Sequence, residues 1–147
     1  MSLVNALNFS DKRVLVCGGS DGIGYGIATA FHHAGAEVSV TGTKEQGQYD
    51  NDFSAFTFYR LDVRNEAEIT SLAQRIDTLV VIVNCVCAVL WQKGEFERQG
   101  FEQILSINLL GSMQLCTEFY EHLLQTQGAI VHLYSVVSIN APVNKPA

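Results

Sequence analysis

Apolar and polar positions change period several times along this chain, and each change marks a boundary between strand and helix. After Arg13, the run Val14-Leu15-Val16-Cys17 contains no polar residue, as expected of a strand buried on both faces. Over residues 23–33, Ile23, Ile27, Ala30 and Phe31 recur three or four apart, which predicts an amphipathic helix with Gly35 at its C-cap. Residues 37–41 are rich in β-formers, 44–54 are polar and read as a loop or a short, poorly defined element, and 55–61 return to strand. Asn65 is a suitable N-cap for a helix over Glu66–Arg75, where Ile69, Leu72, Ala73 and Ile76 share a face. Residues 78–84 are Val/Ile-rich without alternation and predict another buried strand. Residues 88–100, with Trp91, Gly94 and Gly100, read as a loop, and 101–125 as one long helix in which Gly111 allows close packing. After Gly128, residues 129–135 predict a fifth strand, and 141–147 a terminal loop.

Strands alternating with helices at this spacing imply an α/β fold, a doubly wound parallel sheet with helices on both faces. Ligands of such sheets bind beyond the carboxyl ends of the strands. Cys17, Thr41, Asp62, Asn84 and Ser135 all fall at that edge. The first strand also empties into a turn with Gly18, Gly22 and Gly24, followed at once by a helix. Strand, glycine turn and helix together aim backbone N–H groups and the positive end of a helix dipole at a phosphate. The intervening Ser20, Asp21 and Ile23 share that cofactor-facing turn.

Composition narrows the classes of function. At 147 residues the chain can bury one core, and residues 1–147 read as a single domain. A net charge of −6 with scattered basic residues disfavours nucleic acid as a partner. No apolar stretch of about twenty residues suggests a membrane span. The start, Met1-Ser2-Leu3-Val4-Asn5, lacks the features of a signal peptide, so a cytoplasmic protein is expected. Three of the four cysteines (Cys17, Cys85, Cys87, Cys116) lie in apolar runs and are expected as small buried hydrophobes rather than a disulfide framework. Cys85-x-Cys87 lacks ligand spacing and has no neighbouring His, so no metal site is expected.

From about Ser10 to its end the chain resembles the short-chain dehydrogenase/reductase family. The resemblance implies a Rossmann-type sheet of order 3-2-1-4-5 and hydride transfer between NAD(P)(H) and a small alcohol or carbonyl substrate. Gly18, Gly22 and Gly24 match the family's glycine motif, and Asp62, followed by Val63, matches the acid that hydrogen-bonds the adenine amino group. Asn84 matches the one retained position of the family's N-N-A-G motif. Asn108 matches the catalytic Asn, which binds a proton-relay water, and Ser135 the catalytic Ser, which holds the developing oxyanion. Each position also has a local alternative. Asp62 could cap the next turn, Asn108 could pair with nearby backbone, and Ser138 competes with Ser135.

The departures from the family matter equally. Cys17 stands where a Thr hydroxyl usually ties the first strand to its neighbour, which weakens that link. Cys85-Val86-Cys87 replaces residues that let the backbone pass close to the cofactor ribose, and so obstructs it. Cys17 and Cys85 or Cys87 end adjacent strands and could face one another there. The family's Tyr and the Lys four residues after it would start at about position 148, past Ala147. The chain therefore reads as the cofactor-binding portion of a longer enzyme, with its fifth strand covered by further chain or a partner.

The end of the second strand, Val40-Thr41-Gly42-Thr43-Lys44, has no acid for a ribose 2′-hydroxyl, whereas Thr43 and Lys44 suit a 2′-phosphate. NADP(H) is thus favoured over NAD(H). Leu109, Met113, Cys116 and Tyr120 form an apolar stripe compatible with a homo-oligomer through the 101–125 helix, and equally with core packing. Three functions follow: an NAD(P)-dependent oxidoreductase; a catalytically inactive nucleotide-binding, sensor or assembly module; or a Rossmann-like scaffold that binds nothing, which fits the obstructed ribose site. The missing Tyr and the altered N-C-V-C segment favour the second; Asn108 and Ser135 favour the first.

Overall fold

The computed structural model describes residues 7–92 and 94–135. Five strands, β1 (Arg13–Cys17), β2 (Glu37–Gly42), β3 (Thr57–Arg60), β4 (Val81–Asn84) and β5 (Ala129–His132), form one parallel sheet in the order β3-β2-β1-β4-β5. This is the doubly wound α/β arrangement expected from the alternation of periods. The central strand explains its own composition. Val14 pairs with Val38 on one side and Val81 on the other, and Val16 with Val40 and Val83. Residues 14–17 are all 1% exposed or less, so a polar side chain at any of them would be buried without water.

Alternate residues of β1 serve different cores, as the two-residue repeat of a strand requires. Leu15 and Cys17 face α2 (Glu66–Arg75), α4 (Gly111–Glu118) and α5 (Tyr120–Thr126), packing with Ile69, Leu72, Leu115, Phe119 and Leu123. Val14 and Val16 face α1 (Gly22–His33), packing with Ala28, Val38, Val40 and Phe53. Asn65 caps α2 as expected, its side-chain oxygen accepting the Ala67 N–H. Ala34 occupies the C-cap of α1, and Gly35 follows it with φ +94, the conformation that favours glycine there.

Several boundaries differ from expectation. β5 ends at His132, three residues before Ser135, because β4 leaves the sheet after Asn84; the Leu133 N–H to the Asn84 carbonyl is the last bond between them (3.0 Å). The presumed 88–100 loop contains a 3₁₀ turn, Gly94–Phe96, and already enters α3 (Arg98–Leu105). The expected single helix over 101–125 is divided. A π-helical turn, Ser106–Leu110, joins α3 to α4, and Phe119, at φ −96 and ψ 4, separates α4 from α5. The hydrophobic repeat is continuous through these interruptions, so periodicity could not reveal them. β5 stands at the sheet edge among the described residues.

Gly111 is where the helical segment meets the chain leaving β3. A Cβ there would lie 2.8 Å from two side-chain carbons of Val63 and 3.0 Å from its carbonyl oxygen. Gly111→Ala is therefore expected to destabilise the fold by about 1–3 kcal/mol. Gly47→Ala, with no atom within 4 Å of the added carbon, should change stability by less than about 0.5 kcal/mol. Urea unfolding midpoints of the two variants measure the difference.

Candidate cofactor site

The carboxyl ends of the strands open into a cleft of about 340 Å³. Its walls come from Gly18 and Ser20 of the glycine turn, residues 41–43, residues 61–64, residues 85–88, and Gln103 and Ile107. Of the residues predicted from sequence, Gly18, Ser20, Thr43, Asp62 and Val63 line it directly. Asp21, Gly22, Ile23, Gly24, Lys44, Asn84, Asn108 and Ser135 are not among its lining residues.

The glycine turn is built by close approach. Gly18 has φ +75, and a Cβ on it would stand 3.1 Å from the Cys85 carbonyl carbon. A Cβ on Gly24 would stand 2.2 Å from the Gly18 oxygen, so α1 can start directly beneath the turn only with glycine there. Gly22, at φ +52, has no atom within 4 Å of such a carbon and leaves an open side. Asp21 caps α1 by accepting the Gly22 N–H at 2.7 Å. The first turn of α1 contains no acidic side chain beyond the Asp21 cap, whose carboxylate partly offsets its positive end. This cradle fits a pyrophosphate.

The expected weakening at Cys17 is offset from the neighbouring strand. The Thr41 hydroxyl accepts the Gly18 N–H (3.1 Å) and also hydrogen-bonds the Cys17 thiol, so the β1–β2 tie is kept with the hydroxyl supplied by β2. Complete burial, reinforced by Cys85, pushes the Cys17 thiol up to about 12 against the lowering effect of Thr41. The other cysteines are less enclosed than their apolar neighbours suggested. Cys85 and Cys116 are half-buried and Cys87 is exposed, since 85–87 lie past the end of β4.

In the N-C-V-C segment, Cys85 packs toward the α1-side core and Val86 toward the opposite one. The backbone is held firmly. Asn84 Oδ1 accepts the Val86 N–H (3.1 Å), and Asn108 takes both sides of Ala88, accepting its N–H (2.8 Å) and donating to its carbonyl (2.9 Å). Asn108 thus realises the backbone-pairing alternative, from within the π-helical turn, and its own carbonyl accepts the Ser112 hydroxyl (2.9 Å). Asp62 likewise realises its turn-capping alternative while lining the cleft. It accepts the Arg64 backbone N–H (3.0 Å) and the Arg64 guanidinium (2.9 Å), and the guanidinium holds its carboxyl below the ordinary range despite partial burial. Ser135 is exposed beyond β5, and Ser138 lies outside the described residues.

Two groups escaped sequence reasoning. The polar 44–54 segment folds back on the glycine turn. Asn51 donates to the Ser20 carbonyl (3.0 Å), Tyr25 donates to the Asp52 carbonyl (2.8 Å), and the Tyr49 hydroxyl accepts the Lys44 N–H (3.0 Å). The signal was the aromatic series Tyr49, Phe53, Phe56 and Phe58, too dense for a solvated loop. The second group joins β4, β5 and α4. Because the Val86 N–H identifies Asn84 Oδ1, the Asn84 amide nitrogen is the donor to Ser112 (2.8 Å) and to His132 Nδ1 (3.3 Å). His132 then carries its proton on Nε2, directed at the Cys116 sulfur 3.4 Å away. Ser112 and Cys116 share a face of α4 at i, i+4 spacing, but no sequence spacing links them to Asn84 or His132.

Among the described residues no helix is long and apolar enough to cross a membrane, and no three His, Cys, Asp or Glu cluster to hold a metal. Comparison with known proteins places this geometry. The family described as short chain dehydrogenase matches residues 12–147, and the chain belongs to that family. It is 31% identical to L-fucose dehydrogenase of Oryctolagus cuniculus, over 92% of this chain and 50% of that protein. It is 25% identical to a 3-oxoacyl-(acyl-carrier-protein) reductase of Rickettsia bellii, over 91% of this chain and 58% of that one. The ligand-free aldohexose dehydrogenase of Thermoplasma acidophilum shares the fold at a TM-score of 0.81 and 22% identity, over 94% of this chain and 56% of that one. The chain therefore spans about half the length of the curated relatives it matches.

Burial makes a contrast among the thiols. Iodoacetamide is expected to label Cys87 in the native protein and Cys17 only after denaturation, as read by peptide mass spectrometry. Labelling of native Cys17 at a rate comparable to Cys87 would contradict this packing.

Proposed function

We propose that this chain is the NAD(P)(H)-binding portion of an oxidoreductase that exchanges hydride between the nicotinamide and an alcohol/carbonyl pair. The observation that carries the reading is the cleft at the carboxyl edge of the sheet, roofed by a glycine turn that only glycine can form and that opens at Gly22. The turn and the start of α1 would hold the pyrophosphate. Asp62 and Val63 would border the adenine, and Thr43 and Lys44 a ribose 2′-phosphate, which favours NADP(H). The bound nicotinamide supplies or accepts the hydride. Asn108 keeps the Ala88 segment in place on the nicotinamide side, and Ser135 polarises the substrate carbonyl in the complete enzyme. The names of the relatives make a sugar hydroxyl the first substrate class to test. Exposed Leu109, Leu110, Met113 and Tyr120 suit self-association through the 101–125 segment.

A second reading, a nucleotide-binding module without catalysis, is favoured by the position of Ser135 beyond β5 and by the pairing of the Asn108 amide oxygen and one amide N–H with Ala88. Hydride transfer from a bound cofactor to a carbonyl separates the two; binding without turnover supports the second.

Fluorescence titration with NADPH and NADH tests the shared premise, and no binding of either at millimolar concentration would sink both readings. A matched pair of variants locates the phosphate. Gly22→Asn and Gly22→Asp both tolerate a positive φ and place equal volumes in open space, but only the second adds a negative charge. The carboxylate should weaken dinucleotide binding at least about tenfold relative to the amide. Equal affinities would remove the pyrophosphate from this turn.

A further inference from the structure

The segment after β2 returns to the glycine turn at one side chain. The Tyr49 hydroxyl accepts the Lys44 backbone N–H at 3.0 Å, and the Ser20 and Thr43 hydroxyls beside it favour its ionised form. A Cβ on Gly42 would stand 2.5 Å from this oxygen and 2.7 Å from the Ser20 Cβ, so the small residue at the end of β2 makes room for the phenol. The ring is held by Phe53 and Phe58, at centroid distances of 5.9 and 5.8 Å, with the Lys44 ammonium 5.6 Å above it. Three hydroxyls and one ammonium therefore converge where β2 meets the cleft, and Ser20 and Thr43 line the cleft wall. The acid on the next residue is turned to another partner, Glu45 lying 3.6 Å from Arg60.

Donors crowd this oxygen. Partial burial opposes ionisation of the phenol, but the Lys44 N–H, the Ser20 and Thr43 hydroxyls and the Lys44 charge outweigh it and hold Tyr49 below its ordinary value. Such surroundings suit an anionic oxygen.

Resting on the cofactor reading above, we propose that Tyr49 is the specificity-determining residue for a 2′-phosphate on the adenosine ribose, its hydroxyl completing a phosphate nest with Ser20, Thr43 and Lys44. In the free protein the Lys44 N–H is satisfied on the phenol oxygen. A phosphate monoester dianion brings terminal oxygens that accept from every donor of the nest, the phenol included. A ribose 2′-hydroxyl is neutral and gains far less from the same donors, because hydrogen bonds to ionised acceptors are roughly twice as strong.

Tyr49→Phe removes one hydroxyl and leaves the ring in its Phe53–Phe58 cage. Calorimetric titration with adenosine 2′,5′-bisphosphate and adenosine 5′-monophosphate reads the adenosine end alone, and NADPH and NADH read the whole dinucleotide. The variant is expected to bind the bisphosphate and NADPH about tenfold more weakly than the unaltered chain, and the monophosphate and NADH within about twofold. An equal loss for phosphorylated and unphosphorylated ligands shows a merely structural role and overturns the proposal; so does no loss. Should Tyr49→Phe fail to fold, Thr43→Val, at an exposed position, must show the same selective loss or the nest is refuted. An unaltered chain that binds the bisphosphate but neither dinucleotide rejects the cofactor reading and leaves the nest standing. One that binds neither adenosine ligand overturns the nest as well.

Discussion

Because β1 is hydrogen-bonded on both edges and packed on both faces, the chain can leave it usefully only at its carboxyl end. Everything at the cleft is arranged around that exit. Cys17 closes the strand, its carbonyl accepting the Cys85 N–H at 2.9 Å, and the next residue donates its N–H to Thr41. The chain on either side is thus pinned to the junction of β1 and the turn, β2 at Gly18 and the segment after β4 at Cys17. The glycine turn then bends so tightly that the Gly18 oxygen occupies the space a side chain at 24 would need. The geometric result is a turn that is closed at Gly24 and open at Gly22, held by backbone contacts and not by any reactive side chain.

The wall opposite the turn is secured by the side-chain amides of Asn84 and Asn108. Asn84 spans three elements: its oxygen holds the Val86 N–H, and its nitrogen serves Ser112 and His132. Asn108 clamps both polar groups of Ala88 from a π-helical turn. Such a turn widens the helix locally and lets one side chain reach across to the loop, a common device beside functional clefts. The substituted Cys85-Val86-Cys87 segment is consequently ordered by the residues flanking it. Cys85 and Val86 pack against the two cores while 85–87 also line the cleft, so the fold accepts the replacements but they stand at the wall a cofactor would meet.

Much of the architecture was legible because burial imposes periodicity. Residues 14–17 could be read as a doubly buried strand, Asn65 as a cap and Glu66–Arg75 as a helix, since each depends on contacts a few residues apart. Boundaries that depend on a distant partner were misread. β5 stops where β4 turns away, and the 101–125 helix breaks while its apolar repeat continues. The predicted site divided along the same line. Gly18, Ser20, Thr43, Asp62 and Val63 line the cleft, whereas Asn108 and Asp62 hold backbone and Arg64 in ways named beforehand only as alternatives.

The sheet, its helices and the glycine turn follow from the chain's own residue pattern, because local steric limits and two repeating periods admit few other folds for these residues. Which polar groups meet depends instead on contacts between distant parts of the chain. Tyr49 with Ser20 and Asn84 with His132 are pairs separated by 29 and 48 positions in the chain. No periodicity acts over such distances. The closing of the 44–54 segment onto the glycine turn and the register of β4 against β5 bring these groups together, and both are set by packing in three dimensions.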